Sequence, residues 1–262
     1  MGLKIAVAGK GGAGKTTVSV LLAGVLERRG QSVLLVDLDS DPNLAVALGI
    51  PPGRAIPLVH RADLVAERTG STGEPGGMFL LNPKVSDIAE KYALAVSDRL
   101  SLLSVGTIER AGEGCFCPQT AFVRALVKRL ILKEDESVVL DLEAGLESFG
   151  RAAVEGLDLL LVVVEPGMRS VETARRIAEM APGLGIESVR IVANKVRPDT
   201  RGALIGRLAE QGFPATLSVA FSEELARRDL RGESVRDWVD ARFEEEARAL
   251  FDEPGVTRPP CR

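Results

Sequence analysis

The chain of 262 residues alternates short apolar runs with longer amphipathic segments from one end to the other. Apolar runs of about four to eight residues predict buried strands, and apolar positions three and four residues apart predict helices. This alternation predicts a single doubly wound α/β fold around a mainly parallel sheet. The predicted strands are Leu3–Ala8, Gln31–Val36, Arg99–Val105, Ser137–Asp141, Leu157–Val164, Ser188–Ala193 and Thr216–Ala220.

Amphipathic segments between the strands predict the helices that cover the sheet. The last of them has one apolar stripe, Val239, Phe243, Ala247 and Leu250, which is predicted to dock on the sheet. Residues 1–252 are predicted to form one domain, and residues 253–262 a flexible tail. The first predicted helix runs to Gly30, and the others are Leu44–Leu48, Pro57–Arg68, Ser86–Ser97, Pro118–Leu130, Ser170–Met180, Gly202–Gln211, Ser222–Leu230 and Val235–Phe251.

A glycine-rich stretch links the first strand to the first helix, and it matches the phosphate-loop pattern G-x-x-x-x-G-K-[ST]. Glycines let backbone N–H groups close around phosphates at a helix N-terminus. In such a loop Lys15 holds the β- and γ-phosphates, Thr16 contacts Mg²⁺ and Thr17 lies near the α-phosphate. The predicted nucleotide-binding residues are Gly9, Lys10, Gly11, Gly12, Ala13, Gly14, Lys15, Thr16 and Thr17.

Two predicted strands end in acidic residues. The second strand runs into Asp37, Asp39 and Asp41, which the alternation of an extended chain places on one side. The fourth ends at Asp141, a Walker-B aspartate that is predicted to hold Mg²⁺ opposite Thr16. Two simpler interpretations remain open: the acidic loop only caps the next helix, or Asp141 is a strand end without function.

The nucleotide base is predicted to be adenine. A guanine reader of the N-K-x-D type needs an aspartate at its fourth position, and that position holds Arg197. Asn194 can still hydrogen-bond adenine, so ATP and ADP are favoured over the guanine nucleotides. A loop asparagine that caps a turn is the alternative.

Cys115 and Cys117 lie one residue apart in a glycine-rich loop, and Cys261 is the only other cysteine. Two such thiols can face the same way and bind one soft metal ion, Ni²⁺ or Zn²⁺. They cannot complete a four-ligand shell alone, whereas a two-fold dimer supplies the pair twice. The alternative is a pair of incidental loop cysteines.

Charge and hydropathy limit the compartment and the partners that we expect for the protein. With 33 Lys and Arg against 37 Asp and Glu, the net charge of -4 argues against a broad nucleic-acid or membrane-surface footprint. No apolar run approaches the roughly 18 residues of a membrane-spanning helix. We therefore expect a cytoplasmic protein with reduced thiols and no nucleic-acid or membrane partner.

Lys10, a second lysine within the phosphate loop, gives the stretch K-G-G-A-G-K-T-T. This stretch resembles the deviant Walker-A loop of the MinD, ParA and nitrogenase-iron-protein superfamily, the SIMIBI type of P-loop NTPase. The resemblance implies an ATP-hydrolysing, nucleotide-dependent homodimer in which Lys10 reaches the partner's nucleotide. It also implies that Asp39, the second acid of the D-x-D, places the water that attacks the γ-phosphate. Lys10, Lys15, Asp39 and Asp141 are the catalytic residues implied.

Further motifs narrow the resemblance to the nickel-inserting ATPases of carbon monoxide dehydrogenase maturation, the CooC type. The matching stretches are L-N-P-K-V at 81–85, C-x-C at 115–117, D-x-E-A-G at 141–145, E-P at 165–166 and N-K-V-R at 194–197. The resemblance implies a metallochaperone with carbon monoxide dehydrogenase as its client, and nucleotide contacts by Glu165, Pro166, Asn194 and Lys195. The sequence departs from many relatives at Leu38, where glycine is common, and in the arginine-containing tail.

Two other classes of ATPase remain open on the sequence. An iron–sulfur carrier or reductase also places thiolates at a dimer interface, and visible absorbance distinguishes it. A ParA- or MinD-like positioning ATPase needs a basic DNA-binding face or a basic membrane helix, which Glu244, Glu245 and Glu246 oppose in the last helix.

Overall fold

A computed structural model describes residues 2–39, 41, 43–51, 53–72, 77–106, 117–130, 135–143, 156–253 and 256. Its centre is one eight-stranded sheet with the strand order β3-β4-β2-β5-β1-β6-β7-β8. All neighbouring strands are parallel except β3, which pairs antiparallel with β4. The strands are β1 (Lys4–Gly9), β2 (Ser32–Leu38), β3 (Leu94–Ala95), β4 (Leu100–Ser104), β5 (Glu136–Leu142), β6 (Leu159–Val164), β7 (Val189–Val196) and β8 (Ala215–Ala220).

Helices cover both faces of this sheet and enclose two apolar cores. Strand β1 contributes to both cores, because Ile5 and Val7 face one side and Ala6 and Ala8 face the other. The predicted doubly wound, mainly parallel α/β fold is therefore confirmed. The helices are α1 (Lys15–Arg28), α2 (Leu44–Ala47), α3 (Ala62–Thr69), α4 (Ile88–Tyr92), α5 (Pro118–Lys128), α6 (Met168–Met180), α7 (Pro198–Glu210), α8 (Glu223–Arg231) and α9 (Ala241–Phe251), with 3-10 turns at Leu58–His60 and Pro182–Leu184.

The order of the strands places the candidate site. From β1 the chain crosses to β2 and β4 on one side, returns as β5 beside β1, and then builds β6, β7 and β8 on the other side. The direction of winding thus reverses next to β1, and such a switch point opens a crevice at the carboxyl ends of the strands. The glycine-rich loop leaves β1 at this point.

The predicted helix over 86–97 is wrong in its second half. Helix α4 ends at Tyr92, and Leu94 and Ala95 instead pair with Leu102 and Ser101 as a short antiparallel strand. The N–H groups of Val96 and Ser97 then bond to Leu100 O and close a hairpin. This strand covers the exposed edge of β4, whose backbone groups otherwise lack partners.

The last helix begins later than predicted, at Ala241. Asp240 caps it, because its carboxylate accepts hydrogen bonds from the N–H groups of Arg242 and Phe243. Val239 therefore precedes the helix and is 57% exposed, so it does not dock as predicted. The other three members of the predicted apolar stripe are buried in the core.

Two residues of the predicted tail are described. Glu253 forms an ion pair with Arg190 at 2.9 Å, and Val256 is buried. The flexibility of the rest stays a prediction, because residues 254–255 and 257–262 lie outside the described residues. Among the helices that the structure describes, none combines the length and the apolar character needed to span a bilayer.

Candidate functional site

The glycine-rich loop turns sharply between β1 and α1. Gly12 and Gly14 have φ angles of 80° and 91°, a left-handed conformation that strains residues with a side chain. A Cβ on Gly9 would lie 2.5 Å from the carbonyl oxygen of Val163, so only glycine lets β1 approach β6 there. No side chain caps the N-terminus of α1. Its first N–H groups are therefore available to an anion such as phosphate.

Asn194 and Lys195, at the end of β7, hold this loop from behind. The Asn194 amide nitrogen donates to Ala13 O at 2.7 Å, and Lys195 Nζ donates to Gly12 O. A Cβ on Gly14 would meet the Asn194 amide nitrogen at 2.2 Å, so the fit also requires glycine on the loop side. Asn194 is 4% exposed. The structure thus gives Asn194 a loop contact that the sequence did not suggest, and its contact with adenine stays a prediction.

Arg197 occupies the position at which a guanine reader has its aspartate. Its guanidinium group stacks on the ring of Phe221, with 3.7 Å between the guanidinium carbon and the ring centroid. This position therefore carries a stacked guanidinium group and not the carboxylate that binds guanine. Phe221 was not a predicted site residue, because it follows β8 and only the sheet brings it beside Arg197.

Lys15, Thr16 and Asp141 come together below the loop. Lys15 is 7% exposed, and its charge helps to stabilise the Asp141 carboxylate, as does a hydrogen bond from the Thr16 side chain. Ser19, one helical turn further along α1, donates from its hydroxyl to Asp141 Oδ1 at 3.2 Å. Burial outweighs these contacts and raises the pKa of Asp141 to about 6.

Asp37 is a site residue whose role the sequence did not reveal. In the parallel pairing of β2 with β5 it lies directly opposite Asp141. Its carboxylate accepts from the N–H of Asp39 at 3.2 Å and from the N–H of Leu44 at 3.0 Å, so it shapes the turn that follows β2. Burial, and then the charge of Asp141, raise the pKa of Asp37 to about 7.

Asp39 lies on that turn and is half-buried. Its Oδ1 accepts from the N–H of Asp41 at 3.0 Å, which fixes the carboxylate on the turn. The charge of Asp39 contributes to the raised pKa values of both Asp37 and Asp141. Three carboxylates, from two neighbouring strand ends, therefore interact electrostatically at the edge that holds the phosphate loop.

Lys10 points to Glu165 on the same chain. Lys10 Nζ lies 3.4 Å from Glu165 Oε1, and Lys195 Nζ lies 3.1 Å from Glu165 Oε2. The N–H of Glu165 donates to the buried Ser170 hydroxyl at 3.1 Å, which fixes the backbone that carries the carboxylate. Glu165 thus joins Lys10, a residue of the loop, to Lys195, which contacts the loop from β7. Pro166, also predicted to contact the nucleotide, is the next residue.

Cys117 caps helix α5. Its sulfur accepts from the N–H of Thr120 at 3.4 Å and lies 3.0 Å from the Thr120 hydroxyl, while Pro118 occupies the first helical position. Cys115 lies outside the described residues, as does the segment 144–155 after Asp141. The shared metal site therefore stays a prediction. Within the described ranges no three His, Cys, Asp or Glu side chains are grouped to hold a metal ion.

The raised pKa values predict that the nucleotide-free, magnesium-free chain loses stability as the pH rises from 6 to 8. An acid whose folded pKa exceeds its unfolded value binds more protons when folded, so its stabilising contribution is lost as the pH passes the folded pKa. For Asp37 the unfolding free energy should fall by about 1 kcal/mol over this interval. Urea unfolding at each pH measures this free energy. The whole interval lies above the isoelectric point of about 5.4.

Two variants check the source of this pH dependence. Asp37→Asn should remove most of it, and Asp41→Asn, an exposed acid on the same turn, should leave it intact. A stability that stays flat or rises from pH 6 to pH 8 in the unmodified chain contradicts the assignment.

Known proteins share the sequence over most of its length. A family model described as the CobQ/CobB/MinD/ParA nucleotide-binding domain matches residues 4–235. The carbon monoxide dehydrogenase accessory protein CooC of Rhodospirillum rubrum is 40% identical over 238 residues, covering 90% of this chain and 90% of that protein. An uncharacterized ATP-binding protein of Methanocaldococcus jannaschii is 38% identical over 252 residues, covering 95% of this chain and 96% of its own length.

Solved structures share the fold. The MinC:MinD cell division protein complex of Aquifex aeolicus matches with a TM-score of 0.69 at 19% identity, covering 99% of this chain and 98% of that chain. A ParA family ATPase from Chlorobium tepidum matches with a TM-score of 0.68 at 16% identity, covering 95% of this chain and 98% of that chain. At these identities the likeness concerns the architecture alone.

Proposed function

Because the chain belongs to the CobQ/CobB/MinD/ParA family of nucleotide-binding proteins and is a homologue of CooC, we propose that it is an ATP-hydrolysing metallochaperone. It binds nickel between two subunits and inserts it into carbon monoxide dehydrogenase. The ATPase part rests on the convergence of Lys15, Thr16, Asp39 and Asp141 at the uncapped N-terminus of α1. The nickel part rests on the similarity to CooC together with the C-x-C pair.

ATP binds with its phosphates in the loop between β1 and α1. Lys15 neutralises the β- and γ-phosphates, and the N–H groups at the start of α1 donate to phosphate oxygens. Asn194 and Lys195 keep the carbonyl groups of Ala13 and Gly12 turned away, because each carbonyl is already hydrogen-bonded from behind. The loop therefore needs little rearrangement when the nucleotide enters, which favours affinity.

Magnesium fits the residues below the loop. Asp37 and Asp141 are neighbouring buried carboxylates with raised pKa values, so a divalent cation beside them relieves unfavourable charge. Thr16 and Asp141 would hold the ion, and both are oxygen donors, as Mg²⁺ prefers. When bound, Mg²⁺ neutralises charge on the phosphate oxygens.

Hydrolysis requires a water molecule in line with the γ-phosphorus. Asp39 is half-buried on the turn after β2 and is fixed there by the N–H of Asp41. In this proposal its carboxylate accepts a hydrogen bond from that water. Attack breaks the bond between the γ-phosphorus and the bridging oxygen, and gives ADP and phosphate. Lys10 of the partner subunit adds positive charge at the phosphates, as an arginine finger does in other NTPases.

The ion pair with Glu165 does not prevent this role of Lys10. The Lys10 side chain is 36% exposed. An ion pair at such a position contributes only about 0–1 kcal/mol, because water screens both charges. Glu165 therefore holds the Lys10 side chain against its own subunit in a single chain and releases it at little cost when a second chain with ATP approaches.

We expect Lys10→Ala to abolish ATP-dependent dimerisation and to lower turnover by about tenfold to a hundredfold, because the charge that joins the subunits is lost. Sedimentation velocity with a non-hydrolysable ATP analogue and a phosphate-release assay measure the two effects. Glu165→Gln is the matched control: it frees Lys10 and keeps its charge, so dimerisation should persist. Unchanged dimerisation and turnover in Lys10→Ala rule out the role in trans.

Metal delivery tests the function as a whole. The full-length protein, loaded with nickel, should activate nickel-free carbon monoxide dehydrogenase when ATP is present, and CO oxidation by the client is the measurement. Lys15→Ala should bring activation down to the level seen with nickel alone, because nucleotide binding is lost. Activation that is equal with and without ATP contradicts the proposal.

A further inference from the structure

A small cavity lies at the edge of the sheet beside β4, away from the phosphate loop. Two strands, β2 and β5, separate β4 from β1 in the sheet. At a strand spacing of about 4.8 Å this places the two strands roughly 14 Å apart. The cavity is lined by Arg54, Arg61, Tyr92 and Ser104, and by aliphatic side chains such as Leu94 and Leu102.

Two buried polar atoms in this lining have no partner. Ser104 is 7% exposed and its hydroxyl oxygen makes no hydrogen bond, and the buried Nε of Arg61 makes none either. Leaving a buried donor unsatisfied costs about 1–3 kcal/mol, so such groups in folded proteins usually have a bound partner. That both belong to one cavity points to a common occupant.

The lining is cationic. Among the residues that the structure describes, the lining holds two arginines and no acidic residue. None of the ion pairs between described residues involves Arg54 or Arg61. The Arg61 guanidinium lies over the Tyr92 ring, with its carbon 5.3 Å from the centroid, which restrains its orientation. In a chain of net charge -4, two arginines around one cavity, with no carboxylate partner among the described residues, favour an anion.

The size of the cavity limits this anion. The space open to a water-sized group is about 40 Å³, within a free volume of about 300 Å³ that includes the mouth. One water molecule needs about 10–15 Å³ of this open space, so roughly three water-sized groups fit. This suits the oxygens of one phosphate or carboxylate group and excludes a nucleotide.

We propose that this cavity is a binding site for a small oxyanion, held by Arg54, Arg61 and the Ser104 hydroxyl. Arginine donates two parallel N–H groups to such an anion, and a serine hydroxyl donates a third hydrogen bond. Ser104 pairs with Asp37 across β4 and β2, so the anion lies one strand away from the acidic turn.

The test uses the full chain carrying Lys15→Ala, so that phosphate binding at the nucleotide loop is weakened. Calorimetric titration with sodium phosphate, and separately with sodium acetate, at an ionic strength held constant with chloride, should show one site per chain. The anion that binds more tightly, phosphate or acetate, identifies the ligand class. If neither phosphate nor acetate binds more tightly than chloride, the cavity holds water only and the proposal is overturned.

Variants locate the site. Added to Lys15→Ala, Arg61→Gln should weaken anion binding by about tenfold or more, and Ser104→Ala by about threefold to tenfold. Arg54→Gln should also weaken anion binding. Arg54 is exposed on the rim of the cavity, so this variant should fold even if Arg61→Gln does not. Arg227→Gln on α8, an exposed arginine paired with Glu223, is the control and should change nothing. Binding that survives all three cavity variants overturns the proposal.

Discussion

Asp39→Asn is expected to lower ATP turnover by about 10²- to 10⁴-fold while the affinity for ATP stays within about threefold of the unmodified chain. The Asp39 carboxylate orients the attacking water, and an asparagine side chain accepts that hydrogen bond more weakly. The amide oxygen of asparagine still accepts from the N–H of Asp41, so the turn should keep its shape. Turnover is measured by phosphate release, and affinity by competition with a fluorescent ATP analogue.

Asp41→Asn is the matched control for this experiment. Asp41 lies on the same turn and is exposed, and removing its charge should leave turnover unchanged. Full turnover by Asp39→Asn, with ATP still bound, shows that another group orients the water. Equal losses in both variants show that the charge of the loop matters more than the position of Asp39.

The double variant Cys115→Ser with Cys117→Ser is expected to abolish binding of Ni²⁺ or Zn²⁺ while ATP turnover survives. Serine keeps the cap on α5, because a hydroxyl accepts from the N–H of Thr120 as the sulfur does. It does not replace a thiolate as a ligand for a soft metal. Calorimetry with metal titrant and native mass measurement should give one ion per dimer for the unmodified chain and none for the variant.

The third cysteine provides the control for this experiment. Cys261→Ser should bind metal as the unmodified chain does. Undiminished affinity in the double variant removes the shared site, and one ion per monomer in the unmodified chain shows that a single chain completes its own ligand set. Binding that weakens at low pH supports thiolate ligands, because each sulfur loses its proton on binding the metal.

Local order in the sequence determined the phosphate loop, the two strands that end in acids and the alternation that specifies a doubly wound sheet. Each of these features is encoded within about ten consecutive residues, as an apolar run, a set of glycines or an acid at a strand end. The stretch from Gly9 to Thr17 therefore predicts its own turn, and the fold class follows from the repeated pattern.

Local pattern is weaker where neighbouring elements compete. Residues 94–97 have a helical pattern, yet they form β3 and its hairpin turn, because β4 is an edge strand that gains hydrogen bonds from a partner. Val239 fits the apolar stripe of the last helix, but the cap at Asp240 starts the helix after it. In both places a tertiary or capping contact outweighs periodicity.

Only the tertiary structure decided which distant residues share the site. Asp37 becomes a buried neighbour of Asp141 because β5 is inserted between β2 and β1, and strand order is set by crossover connections that no local pattern records. Glu165 joins Lys10 to Lys195, and Asn194 holds Ala13, for the same reason: β1, β6 and β7 end side by side. The sequence specified the chemistry at each strand end, and the packing of the sheet decided which strand ends meet.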